Sequence, residues 1–187
     1  MDLSLPPEAV SDGDVTLFLL GPEHATETYL GWMQDAEVQK YLESRFGTHT
    51  MASLEEFVAA QRADPNVLFL GIAYRGQHVG NVKIGPLDRQ HRTADLGFLI
   101  GERGLHGRGI GTTALRIALQ IARGPLGLAK LTAGVYGANT ASARAFEKAG
   151  FTLEGRKQAQ FALGGGPGEA PTGPRTDHLL FGVVFED

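Results

Sequence analysis

Apolar positions recur in two rhythms along this chain, and the rhythm changes near residue 67. Val15 to Leu20, VTLFLL, is a short apolar run of strand formers. From Pro22 to Met33 the spacing of Ala25, Tyr29, Trp32 and Met33 predicts a helix, with proline at an early helical position. Asp35 to Leu42 predicts a further helical turn or two. Ser53, with Glu56 three residues on, predicts a capping box that opens a helix to about Ala63. Beyond it the period shortens. Val67 to Tyr74 and His78 to Gly85 read as strands joined by the tight turn Arg75-Gly76-Gln77, and Leu87 to Arg92 reads as a polar loop. Thr93 to Gly101 predicts another strand, with Leu96, Phe98 and Ile100 on one face and Gly97, Leu99 and Gly101 on the other.

Helical spacing then returns. From Thr112 to about Arg123, Arg116, Gln120 and Arg123 form a polar stripe. Leu115, Ile117, Ala118, Leu119, Ile121 and Ala122 cover the rest, which predicts a mostly buried helix stopped by Gly124-Pro125. Lys130 to Tyr136 alternates as a strand. Asn139 is placed to cap a helix through Ala149, and Gly150 to end it. Thr152 to Leu163 and His178 to Glu186 read as the last strands. Between them, Gly164 to Pro174 holds too many glycines and prolines to pack and reads as a flexible excursion of a hairpin. Only one strand follows it, so residues 1–187 are expected to form a single domain. The element order predicts a mixed α/β (α+β) domain around a central sheet.

Composition narrows the chemistry. A net charge of −4 gives no general attraction to nucleic acid or to an anionic membrane. The first ten residues lack the basic and apolar regions of a signal peptide, and no apolar run approaches a membrane span. These features predict a cytoplasmic protein. The absence of cysteine removes disulfides, thiolate metal sites and a cysteine nucleophile, and the six histidines show no metal-ligand spacing, so no metal is expected.

The richest chemistry lies in Gly101 to Ala122, where glycines at 101, 104, 107, 109 and 111 lead into the apolar helix. Close backbone approach and bare N–H groups at a helix start make an anion site, usually for phosphate. A P-loop would need lysine where Ile110 stands, so that reading is rejected. Gly109, Gly111 and Ala114 fit the dinucleotide spacing, but no acid lies between Arg123 and Glu147 to hold a ribose. The third reading is an acyl-coenzyme A site.

HGRGIG before an apolar helix, then a strand, then NTASARAFEKAGF, resembles the GCN5-related N-acetyltransferases. YLGWMQDAEVQKYLESRF, GQHVGNVKIG and FTLEG are similar to the branch of that family related to ribosomal-protein and amino-sugar acetyltransferases. The resemblance implies the acyl-CoA N-acyltransferase fold, a mostly antiparallel central sheet with flanking helices, and acetyl-CoA as co-substrate. Backbone N–H groups from Arg108 through Gly109, Ile110, Gly111 and Thr112 to Thr113 should then hold the pyrophosphate, with His106 and Gly107 opening the turn. His106 stands where the family has glutamine or arginine. The strand Phe98-Leu99-Ile100 should splay from the next one, bond the pantetheine arm, and offer the N–H of Leu99 or Ile100 to the acetyl carbonyl. Asn139 should bond the same arm or serve as a cap alone.

The main departure is Phe146, which occupies the position where many members carry a proton-donating tyrosine. Ser142, one turn earlier, is the substitute candidate for the leaving thiolate, with Tyr136 behind it. Glu43, Asp95 and Glu154 are candidate bases. Glu43 and Arg45 are candidate acceptor clamps. Asn81 and Lys83 share a strand face and would suit an anionic acceptor if that face is the cleft. The leading expectation is acetyl transfer to a primary amine by direct attack in a ternary complex. An amino-sugar or nucleotide-linked amino-sugar is the first acceptor expected and a protein N-terminus the second. The rival is a non-catalytic acyl-CoA-binding module. A homodimer is compatible with the sequence.

Overall fold

A computed structural model describes residues 9–186. Eight strands form one sheet in the order β1-β2-β3-β4-β5-β6-β8-β7: β1 Ala9–Asp12, β2 Val15–Leu19, β3 Leu68–Tyr74, β4 Gln77–Asp88, β5 Thr93–Ile100, β6 Lys130–Tyr136, β7 Thr152–Ala162 and β8 Arg175–Val184. Every neighbouring pair is antiparallel except β5 and β6, which run parallel. Five helices flank it: α1 Glu27–Gln34, α2 Ala36–Gln39, α3 Met51–Ala63, α4 Ile110–Arg123 and α5 Thr140–Ala149.

The sheet has a core on each face. Under α4 and α5 lie Leu17, Leu70, Ile72, Val82, Ile84, Leu96, Leu131, Val135 and Phe181. On the other face Leu20 and Phe69 meet Tyr29, Leu30, Trp32, Val38, Leu54 and Val58 from α1 to α3. α4 buries Leu115, Ile117, Ala118, Ile121 and Ala122, as its sequence spacing predicts. Each fully buried leucine or isoleucine there contributes roughly 1.5–3 kcal/mol.

Four local expectations need correction. The predicted Pro22–Met33 helix is two pieces, a 3₁₀ turn at Pro22–His24 and α1, because the Thr26 hydroxyl accepts the Tyr29 N–H and starts a new helix. The capping box lies one turn earlier than predicted. Thr50 caps α3, and the Ser53 hydroxyl takes the reciprocal role expected of Glu56, with bonds of 3.2 and 2.9 Å. The strand predicted to end at Gly85 continues through a register shift between Ile84 and Leu87 to Asp88. β1 was not predicted, and β8 begins at Arg175, since the hairpin closes at Leu163–Pro174.

Candidate active site: a splayed sheet between a glycine turn and an apolar cavity

The site is organised by where β5 and β6 part. They pair only at Thr93–Lys130, Ala94–Leu131 and Asp95–Thr132. Beyond that the strands diverge, and Phe98 and Leu99 on one side face a cavity shared with Val135 and Tyr136 on the other. Gly101 donates its N–H to Val79 O in the β4 ladder at 2.9 Å. An antiparallel register alternates, so Leu99, opposite Asn81, and Gly97, opposite Lys83, also point their amides into β4. The amides of Phe98 and Ile100 therefore face the split. Of the two candidate oxyanion donors, Leu99 spends its N–H within the sheet. Ile100 keeps its N–H on the open side, while its carbonyl is engaged by His106 Nε2 at 2.8 Å.

One end of the split meets the glycine turn. Gly109 caps α4 in the left-handed conformation (φ 81°), which a β-carbon would strain, and no side chain caps the helix. The first helical bond runs from Thr113 N–H to Gly109 O, and Arg108 N–H bonds Leu105 O. Thr113 and Arg108 therefore drop out of the predicted amide set, leaving Gly109, Ile110, Gly111 and Thr112 as the bare donors at the positive helix end. The Arg108 side chain is exposed beside them. Gly111 lies so close to Phe98 that a β-carbon would stand 2.7 Å from its ring. This contact locks the glycine turn to the splayed strand, and the arrangement fits a diphosphate-bearing acyl carrier.

The other end is a cavity of about 500 Å³. α5 supplies Ser142 and Phe146, with Asn139 at its cap. Asn139 Oδ1 accepts the backbone N–H of Ser142 at 3.1 Å, so the cap leaves the Ser142 hydroxyl uncommitted. Phe146 is 2% exposed and packs against Phe98, Phe151 and Phe181. Its ring closes the cavity floor as a core residue. Asn81 and Lys83 line the same cavity from the sheet face that carries α1 to α3.

The predicted carboxylates are elsewhere. Asp95 accepts a hydrogen bond from Thr132, and Glu154 pairs with Lys130 Nζ at 2.6 Å; neither lines the cavity. Glu43 accepts the Tyr136 hydroxyl at the rim. Arg45 is 7% exposed and donates to Tyr136 Oη at 2.9 Å, Leu42 O at 2.8 Å, Ala162 O at 3.1 Å and Gly164 O at 3.5 Å. It stitches three segments together and has little left for an acceptor. Burial pushes the Tyr136 hydroxyl above its ordinary range; the bond to Glu43 adds to this and Arg45 opposes it.

Three residues that sequence reasoning missed or set aside are brought in by the fold. Tyr29 lines the cavity beside Asn81 and is held protonated by burial, its pKa far above the ordinary tyrosine value. His78 Nε2 lies 3.0 Å from Asn81 Oδ1 and 2.9 Å from Gly80 O, while burial lowers its pKa. His49 also lines the cavity, and its Nε2 reaches Ser44 O at 2.8 Å. A carbonyl only accepts, so Nε2 carries a proton, and in the neutral ring Nδ1 keeps its lone pair. No local motif marks these residues. Among the described residues no group of three metal-ligating side chains converges, and no helix is long and apolar enough to cross a membrane.

A split β5–β6 pair, a glycine-capped helix on one side of it and a cavity on the other define an acyltransferase of the GNAT type. The family model for the acetyltransferase (GNAT) domain matches residues 14–152, and the chain belongs to that family. It is an N-acetyltransferase. The dinucleotide reading falls with this, since the sheet is mostly antiparallel and not doubly wound.

Solved structures share the fold. The microcin C7 self-immunity acetyltransferase MccE, in complex with acetyl-CoA and AMP, is 22% identical over 98% of this chain and 100% of its own, with a TM-score of 0.77. Spermidine N-acetyltransferase from Vibrio cholerae, in complex with CoA and spermine, is 19% identical over 92% and 96%, with a TM-score of 0.78. Mycobacterium smegmatis RimJ, in complex with CoA-disulfide, is 20% identical over 91% and 81%, with a TM-score of 0.73. Comparison with the curated proteins gives no match.

Proposed function

We propose that this protein transfers the acetyl group of acetyl-CoA to a primary amine by direct attack within a ternary complex, in the cytoplasm. The observation that carries this is the continuity of the split: the unpaired edge of β5 runs from the glycine turn to the cavity that holds Ser142. The amides of Gly109 to Thr112 bind the diphosphate, and Arg108 adds charge. The Phe98 and Ile100 edge binds the pantetheine arm as an added strand would. An N–H from that edge stabilises negative charge on the thioester oxygen as the amine attacks. His49 Nδ1 accepts the amine proton, and the Ser142 hydroxyl donates a hydrogen bond to the departing thiolate.

The acceptor enters from the α1–α3 face, past Tyr29, Met33 and Phe57. The part of the wall made by Met33, Leu42, Leu54, Phe57 and Phe69 offers no partner to an amino-sugar's hydroxyls. A non-catalytic acyl-CoA-binding module keeps one argument, the apolar Phe146 at the position of the usual acid.

The test measures acetyl-CoA binding by calorimetry alongside thiol release over a panel of amines. Amine-dependent thiol release with the acetyl group recovered on the amine is the expected result. Tight binding with no turnover on any amine would favour the module. A labelled acetyl group retained on the purified protein would overturn direct attack.

A further inference from the structure

Resting on that acetyl-transfer reading, we infer that the acceptor is an amine with an apolar or aromatic body and one anionic group, and that Lys83 pairs with the anion. Lys83 sits in the cavity wall, half-buried, in register with Phe69 on β3 and Gly97 on β5. It makes no hydrogen bond or ion pair among the described residues. A half-buried lysine without a counter-charge in the wall suits an anionic group beside it. The rest of the wall offers none. No aspartate or glutamate lines the cavity, and Glu43 at the rim is occupied by Tyr136, with Arg45 3.9 Å away.

The remaining lining sorts acceptors by charge and polarity. A polyamine would bring further ammonium groups to a wall whose one permanent charge is positive. A sugar would leave the methionine, leucine and phenylalanine part of the wall facing hydroxyls it cannot partner. An amino acid with an aromatic or branched side chain brings an apolar body for Leu54, Phe57 and Phe69, a carboxylate for Lys83, and the amine itself. Asn81 and Lys83 lie two apart on one strand face, and Tyr29 lines the cavity with them, so neutral polar groups share the wall with the cation. A carboxylate and a phosphonate satisfy this chemistry equally, and the test separates them.

The experiment compares kcat/KM for phenylalanine, its aminophosphonate analogue, phenethylamine and spermidine, in the wild type and in Lys83→Met and Lys83→Arg. The wild type is expected to prefer an anionic phenyl amine over phenethylamine and over spermidine. Whichever of phenylalanine and the phosphonate is favoured identifies the anion. In Lys83→Met the ratio of the anionic amine to phenethylamine should fall roughly ten- to hundred-fold, as expected for losing a hydrogen-bonded charge pair. Lys83→Arg should recover part of it. A wild-type preference for phenethylamine or spermidine overturns the inference, as does a Lys83→Met variant that slows all amines alike.

If no amine is turned over, the acetyl-transfer reading fails on its own. The inference is then decided by calorimetry of the same compounds against the CoA-loaded protein. Binding of phenylalanine or its phosphonate that Lys83→Met abolishes supports it; no such binding overturns it.

Discussion

Replacing Ser142 with alanine separates catalysis from structure at a single atom. The Asn139 cap uses the backbone N–H of Ser142, which alanine retains, and the hydroxyl has no protein partner among the described residues. The fold therefore loses nothing with it, and the helix preference of alanine adds up to about 0.5 kcal/mol of stability. A hydrogen bond to a thiolate is worth about 1.5–3 kcal/mol, and its loss from the transition state slows the reaction roughly ten- to hundred-fold. The expected result is a kcat lowered by that factor, an unchanged acetyl-CoA affinity and an unchanged or higher melting temperature. Rapid-quench measurement of the first turnover keeps product release from masking the effect. An acetyl thioester whose thiol is more acidic needs less help in leaving, so the penalty should shrink with it. A normal first-turnover rate, or a penalty equal for both thioesters, refutes the assignment of Ser142 to the leaving group.

Two further outcomes follow from packing and from titration. Gly111→Ala places a β-carbon 2.7 Å from the Phe98 ring, so it should cost about 1–3 kcal/mol in denaturant unfolding and weaken acetyl-CoA binding in the same protein. Burial holds the folded pKa of His78 below the ordinary histidine value of 6.5, so the unfolded chain takes up the proton first. Its stability contribution is intact above pH 6.5 and is lost as the pH falls below it, and His78→Gln should flatten that part of the stability profile measured by urea unfolding.

The fold was largely legible because its signals are local. The buried stripe of α4, the Asn139 cap and the Gly150 stop are each contained within one helix, and the structure shows them where the spacing places them. Boundaries shifted where side chains competed for the same backbone, as with Thr26, Thr50 and Ser53. The site was half legible. The glycine turn announces an anion through backbone geometry that glycine alone encodes. The carboxylates did not announce their roles, since Asp95 and Glu154 are committed to partners 37 and 24 residues away in sequence. The same holds for Arg45, whose bond to Tyr136 spans 91 residues. Such pairings are set by sheet topology and leave no trace in local spacing, and His49 in a loop before α3 was invisible for the same reason.

The short β5–β6 seam also has a mechanical meaning. Among the described residues three ladder pairs join β5 to β6, and just before them Arg92 O accepts the N–H groups of Ala129 and Lys130. The cleft opens beyond them, so a rotation about the seam would change the gap at Phe98 and Tyr136 more than it would move Ala94 and Leu131. The Asp95–Thr132 hydrogen bond lies at that seam. Asp95, considered first as a base, therefore ties the two strands together at the last pair before they part.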